Sequence, residues 1–208
     1  MSLKLSVLKD GEVAPKLKLN MNKSAKFFVE LRWNTEADLD AHALLAYNDG
    51  NGAKVSSFDQ VLSTYNKKRK NNPDGKLITN PNGSFSTPDG ALTHSGDVLK
   101  GAGKDLPDET ITIEGDKAGS NVNEIPIFVT IHKAQETHTT FGSIGGHASI
   151  AIREETGHEL ARYELNDELG KFNAVQMGSV ILGDNGWEFA PVAKGFNGDF
   201  NTVLENFS

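Results

Sequence analysis

The sequence predicts an all-β protein, either a sandwich or a barrel. Roughly ten short segments alternate between apolar and polar residues, as half-buried strands do, and they recur at near-regular spacing. Turn residues separate these segments, and few stretches have the periodicity of a helix. No stretch of the 208 residues has the composition of a linker, so we expect a single domain over residues 1–208.

Three segments in the first two thirds of the chain carry the strongest strand patterns. Residues 27–33 alternate, with apolar side chains at positions 27, 29, 31 and 33. Residues 41–47 form an apolar run that favours a buried strand over a helix, because the run is short. Residues 125–132 are the most apolar run in the protein, which predicts a central strand with Pro126 near its start, where proline is tolerated.

Two hairpins and a short helix are expected towards the C-terminus. Residues 147–165 alternate on both sides of a Thr-Gly turn, and residues 175–192 do so around the turn sequence Gly-Asp-Asn-Gly. Residues 196–207 place four apolar side chains at helical spacing, which predicts a short closing helix.

Residues 66–89 differ from the rest of the chain because turn residues dominate them. They contain the basic run 67–70 and one apolar pair, Leu77 and Ile78. We predict a surface insertion here with a small hairpin. The basic run is typical of a solvated loop tip, and contact with an acidic partner or a phosphate is the alternative.

Composition excludes several classes of protein. The net charge of −7 argues against a nucleic-acid-binding protein that works by whole-surface positive charge. The absence of cysteine excludes disulfides and thiolate metal sites, and with them most structural zinc sites. The first residues alternate like a strand rather than a signal peptide, and no apolar run approaches the length of a membrane span. We therefore expect a cytoplasmic protein.

Two stretches are rich in carboxylates, and together they predict a cation site. The acidic residues are Asp38 and Asp40 at the start of the predicted strand that holds the run 41–47, and Asp97, Asp105, Asp108 and Glu109 in the loop 96–109. Residues two apart at the end of a strand can point the same way, and Gly101 and Gly103 allow backbone carbonyls to turn towards an ion. Calcium takes about six to eight oxygen ligands. A loop that is only solvated is the alternative, and the EF-hand pattern is absent.

An ordered set of short motifs makes the resemblance to one family specific. The motifs are Asp38-Leu39-Asp40-Ala41, Pro88-Asp89-Gly90, His94-Ser95-Gly96-Asp97, Gly101-Ala102-Gly103, Asp108-Glu109, residues 130–134, residues 159–165, Gly186-Trp187 and Gly195-Phe196. With this set the chain resembles the TerD family of tellurium-resistance and stress proteins. The resemblance implies a β-sandwich of two antiparallel sheets and calcium binding by the acidic loops. It also implies a role in resistance to tellurite, phage, colicin and other stresses, and no enzymatic activity of the core domain.

The resemblance extends to particular residues. It implies a calcium site of the side chains of Asp38, Asp40, Asp97, Asp108 and Glu109, with Asp105 as a further carboxylate and backbone oxygens near Val98, Gly101 and Gly103. Val98, Ala102 and Lys104 stand where the family usually has asparagine, glutamate and an acidic residue. These departures leave three outcomes open: one retained ion, weak binding, or no binding. The expected partners are calcium and either other proteins or further copies of the chain, without nucleic acid.

Three rival interpretations need testing against the structure. A hydrolase would need a triad such as His94, Ser95 and Asp97, but residues so close in sequence seldom form one. A zinc site would combine His132 and His138 with His147 or His42. A structural or assembly protein, for instance a virion component on the same fold with partly lost metal sites, would use calcium to brace contacts between subunits.

Overall fold

Strands dominate the described part of the chain, which comprises residues 3–4, 17–21, 26–102, 106–167, 169–184 and 186–208 of the computed structural model. The first eight strands are β1 (Leu3–Lys4), β2 (Leu17–Met21), β3 (Lys26–Trp33), β4 (Leu39–Leu44), β5 (Tyr47–Asn48), β6 (Ala53–Lys54), β7 (Val61–Leu62) and β8 (Ile78–Thr79). The next eight are β9 (Phe85–Ser86), β10 (Leu92–His94), β11 (Glu109–Glu114), β12 (Glu124–Ile131), β13 (Ala148–Glu154), β14 (Glu159–Glu164), β15 (Ala174–Gly183) and β16 (Gly186–Phe196). Two short helices are α1 (Ala134–Thr137) and α2 (Phe200–Leu204).

The strands form two large sheets and one small ribbon. Sheet A has the order β1-β14-β13-β3-β11-β10-β9-β8, sheet B has the order β2-β16-β15-β12-β4-β7, and β5 pairs with β6. Neighbouring strands are antiparallel, except that β1 runs parallel to β14. The predicted all-β fold is therefore confirmed. Of the two architectures that the sequence allowed, the strands form two separate sheets rather than a barrel.

The main core fills the space between the two sheets. β3 alternates as predicted and buries Phe27, Val29, Leu31 and Trp33. These side chains form one apolar cluster with residues of sheet B, such as Ile127 of β12. The alternation in the sequence of β3 thus reflects one face buried in the core and one face that carries polar groups.

Sheet B has a second, smaller core on its outer face. There Phe128 of β12 packs with Phe200, Val203 and Phe207 at the C-terminal end of the chain. β12 is buried at every position because both of its faces are covered, which explains its unbroken apolar run. Pro126 is the third residue of β12 and precedes the pairing with β4, so its missing N–H interrupts no hydrogen bond there.

The predicted hairpins and closing helix are confirmed. β13 pairs with β14, β15 pairs with β16, and α2 lies within residues 196–207. The stretch 66–89 does contain a hairpin, β8 with β9, but this hairpin extends sheet A, and Leu77 and Phe85 are buried in the main core. None of the helices in the described ranges is long and apolar enough to cross a membrane.

Candidate metal centre

Three carboxylates converge where the start of β4 meets the loop that follows β10. Asp38 directly precedes β4, Asp40 is the second residue of β4, and Asp97 lies three residues beyond β10. Each offers an oxygen that lies within 4.8 Å of the oxygens of the other two. The two acidic stretches predicted to meet in space therefore do meet, and the i, i+2 spacing brings Asp38 and Asp40 together.

The environment of Asp38 and Asp40 disfavours their negative charge. Burial raises the pKa of Asp38 to about 7, and the nearby carboxylates of Asp40, Asp97 and Glu109 act in the same direction. Burial also raises the pKa of Asp40, although hydrogen bonds to its carboxylate oppose the rise. At neutral pH the cluster therefore gains from taking up a proton or a cation.

One oxygen of Asp38 lacks a hydrogen-bond partner. Asp38 Oδ1 is buried and accepts no hydrogen bond from any described residue. A buried polar atom without a partner costs about 1–3 kcal/mol, so such atoms are rare in folded proteins. A hard divalent cation would satisfy this oxygen, and carboxylate oxygens are the donors that calcium prefers. The donor set at Asp38, Asp40 and Asp97 therefore fits calcium.

Asp108, a predicted ligand, closes the loop on β3. Its Oδ2 accepts a hydrogen bond from the backbone N–H of Trp33 (2.9 Å), and its Oδ1 accepts one from the N–H of Ala102 (2.9 Å). The backbone N–H of Asp108 in turn donates to the carbonyl of Leu31 (3.0 Å). The structure thus gives this carboxylate a bracing role, and Asp108 is not one of the three clustered carboxylates.

Glu109, another predicted ligand, is fully buried behind the cluster. Its Oε2 accepts from the N–H of Ala41 (2.9 Å) and lies 3.2 Å from His94 Nε2, while its Oε1 accepts from the N–H of Val98 (3.2 Å). Burial raises the pKa of Glu109, and the contact with His94 lowers it. Glu109 therefore ties β4 to the loop and adds negative charge near Asp38.

The predicted backbone ligands stay predictions, and the structure gives Gly101 a further role. Gly101 is buried against Trp33, and a Cβ there would lie 2.2 Å from the Trp33 carbonyl oxygen. Glycine is needed at this position for close packing, which is a different reason from the ion-facing carbonyl that we predicted. Gly103 and Asp105 lie outside the described residues. Their ligand roles, and those of the Val98 and Gly101 carbonyls, stay predictions.

The rival sites do not assemble within the described ranges. No group of three metal-binding side chains other than the three aspartates comes together there. His42, His132 and His147 instead contact Thr130, Tyr65 and Glu164 respectively.

The side chains of the suggested triad have other partners. His94 stacks on Phe85, contacts Glu109 through Nε2, and accepts from the N–H of Gly96 through Nδ1. Ser95 Oγ accepts from the N–H of Thr110 (2.9 Å). These contacts give both residues a role in holding the loop.

Two hydroxyl groups beside the site were not predicted from the sequence. Thr64 Oγ1 donates to Asp40 Oδ1 (2.8 Å), and the Tyr65 hydroxyl lies 3.1 Å from Asp40 Oδ2. Both residues follow β7 and lie just before the turn-rich stretch 66–89. Nothing in the local pattern there indicates contact with a residue 24 or 25 positions earlier.

Comparison with known proteins identifies the family. The family model of the TerD domain matches residues 5–207. The chain belongs to the TerD family. Among solved structures, a homologue of the telluride resistance protein TerD from Streptomyces coelicolor superposes with a TM-score of 0.67 at 20% identity, covering 86% of this chain and 95% of that one. At this identity the likeness shows the fold.

Two of the curated relatives that the chain resembles are named for resistance or stress. The tellurium resistance protein TerD of Serratia marcescens is 31% identical over 124 residues, which is 60% of this chain and 64% of that protein. General stress protein 16U of Bacillus subtilis is 28% identical over 57% of this chain and 61% of its own length. The Bacillus subtilis protein YceE is 28% identical over 88% of this chain and 87% of its own length. This chain therefore aligns with less than two thirds of the first two relatives.

Proposed function

We propose that this TerD-family chain binds one calcium ion through Asp38, Asp40 and Asp97 and acts by binding rather than catalysis. Two observations carry the proposal: the carboxylates of Asp38, Asp40 and Asp97 converge, and one buried oxygen of Asp38 accepts no hydrogen bond from any described residue. Bound calcium would supply positive charge to the cluster and join β4 to the loop after β10. The names of the relatives support a role in tellurite and general stress resistance, and we expect that role in the cytoplasm.

Calcium is expected to stabilise the folded protein. A ligand that binds the folded state at about 100 times its Kd adds about 2.7 kcal/mol of stability. For a chain of this size that raises Tm by about 5–10 °C. Isothermal titration calorimetry gives the stoichiometry, expected to be one ion per chain, and a chelator reverses the Tm shift. A melting curve that does not change across millimolar calcium would contradict the proposal.

The basic tip, residues 67–76, favours assembly as a second candidate role. It holds five basic residues and one acidic residue, a net charge of +4 on a chain of −7. Hydrogen bonds order it: the backbones of Arg69 and Asn72 bond to each other, and Asn72 Nδ2 donates to the Tyr65 carbonyl (2.9 Å). No ion pair neutralises its basic side chains within the described ranges. This positive charge complements an acidic protein or the acidic remainder of a second copy.

Assembly through the basic tip predicts a mass that depends on salt and on the tip. Light scattering after size exclusion should show a species heavier than one chain at low ionic strength, because salt screens exposed charges. Lys68→Glu with Lys70→Glu should reduce that species. Lys54→Glu with Lys171→Glu changes the net charge by the same amount elsewhere on the surface. This control should not change the amount of the heavier species. A single-chain mass under all conditions, with and without calcium, would argue for a free stress protein.

A further inference from the structure

Asp40 has both carboxylate oxygens engaged by hydroxyl groups of one short turn. Thr64 Oγ1 donates to Oδ1 at 2.8 Å, and the Tyr65 hydroxyl lies 3.1 Å from Oδ2. Asp40 and Thr64 are buried. Because the two contacts act on different oxygens, they fix the rotation of the carboxylate about its Cβ–Cγ bond as well as its position.

The turn that carries these hydroxyls is held from several sides. Ser63 Oγ accepts from the N–H of Tyr65, and Asn66 Nδ2 donates to the carbonyls of Phe58 (2.7 Å) and Val61 (2.8 Å). The ring of Tyr65 is therefore placed by its backbone, although the residue is 42% exposed. Such a turn can hold Asp40 without help from an ion.

A second contact orients the Tyr65 hydroxyl. Its oxygen lies 2.9 Å from His132 Nδ1, and the two rings are nearly parallel, with centroids 5.8 Å apart. A tyrosine hydroxyl has one proton, so when it donates to ionised Asp40 it accepts from His132 Nδ1–H. Hydrogen bonds in such a chain polarise and strengthen one another. Donation to Asp40 therefore goes with the His132 tautomer that carries its proton on Nδ1.

We propose that Thr64 and Tyr65 are positioning residues of the cation site, which orient Asp40 so that its remaining lone pairs meet the ion held by Asp38 and Asp97. The inference rests on the proposed calcium binding. Groups that orient metal ligands commonly change metal affinity about 10- to 100-fold when they are removed. Both residues belong to the turn before the basic tip, so this turn would join the cation site to that surface.

Two pairs of variants test the proposal by calorimetric titration with calcium chloride. Tyr65→Phe and Thr64→Val each remove one hydroxyl and should weaken calcium binding about 10-fold. Tyr47→Phe removes an exposed hydroxyl that has no contact in the described ranges, and Thr64→Ser keeps the hydroxyl. Both controls should bind like the unmodified chain. Tm without calcium serves as the folding readout, and the calcium-induced rise in Tm should shrink in the first pair alone.

Each outcome decides the matter. Full affinity in both Tyr65→Phe and Thr64→Val, with calcium bound by the unmodified chain, overturns the positioning role and leaves the calcium site standing. Equal weakening in Thr64→Ser and Thr64→Val also overturns it, because the hydroxyl would then not matter. No calcium uptake by the unmodified chain overturns the proposed function itself, and this inference with it.

Discussion

Asp38→Asn is expected to make the calcium-free protein more stable near pH 8 and to abolish its response to calcium. Asparagine has the shape of the protonated acid but carries no charge, so it relieves the repulsion from Asp40 and Asp97. Asp38 is half-exposed, and solvent screening limits the expected gain in unfolding free energy to about 1–2 kcal/mol. That gain corresponds to a rise in Tm of about 2–8 °C. The same change should weaken calcium binding at least about 100-fold, because it removes a charged ligand.

The pH dependence of that difference follows from the direction of the pKa shift. Burial, with the neighbouring carboxylates, raises the pKa of Asp38 from 3.8 to about 7. Below about pH 4 both the folded and the unfolded chain hold the proton. The unfolded chain releases its proton near pH 4 and the folded chain only near pH 7, so the stability contributed by the raised pKa is lost progressively between these values. The advantage of Asp38→Asn should therefore be absent below about pH 4, partial near pH 5 and full near pH 8.

Thermal unfolding with chelator and with calcium, at about pH 5 and about pH 8, separates the two effects. Burial lowers the pKa of His42, which destabilises the fold in acid, but both proteins carry His42 and the difference between them cancels this contribution. Calcium should raise Tm more at pH 8 than at pH 5 in the unmodified chain, since protons compete for the same oxygens. If the unmodified chain is more stable than Asp38→Asn near pH 8 without calcium, the charge of Asp38 does not destabilise the calcium-free protein and the prediction is wrong.

The sequence predicts those strands whose burial leaves a regular pattern of apolar residues along the chain. Alternation in residues 27–33 and the apolar run at residues 125–132 are local patterns, and the structure confirms both strands. The meeting of Asp38 and Asp40 is equally local, because spacing by two brings alternate strand residues to one side. The carboxylates of the loop 96–109 predict that it meets Asp38 and Asp40, and the family resemblance makes Asp97 a specific member of that site.

The contacts that were missed depend on how distant segments come together. Asp108 and Glu109 stay predicted ligands, but their oxygens also bond to backbone N–H groups on β3, on β4 and in their own loop. No pattern within the loop reports those partners. Thr64 and Tyr65 are comparable, since their hydroxyls reach Asp40 only through the packing of a turn onto sheet B.

Gly101→Ala is expected to destabilise the protein by about 1–3 kcal/mol, because Gly101 packs directly on Trp33 and leaves no room for a methyl group. The added Cβ would lie 2.2 Å from the carbonyl oxygen of Trp33 and 2.3 Å from its Cδ1. Backbone and a buried indole cannot move aside cheaply, so the loop itself must shift. Gly183→Ala is the matched control: its nearest neighbour is the flexible side chain of Glu188 at 3.4 Å, and the change in stability should stay within about 0.5 kcal/mol.

The Gly101→Ala variant also tests what holds the loop in place. Gly101 packs on Trp33, and Asp108 accepts a hydrogen bond from the backbone N–H of Trp33. We expect these protein contacts to hold the loop that carries Asp97 in place without an ion. A shifted loop should carry Asp97 away from Asp38 and Asp40 and weaken calcium binding along with stability. Urea unfolding gives the first quantity and calorimetry the second. Lower stability with unchanged calcium affinity would contradict this idea. It would mean that the contacts with Trp33 do not position Asp97, and that the ion itself draws Asp97 to Asp38 and Asp40.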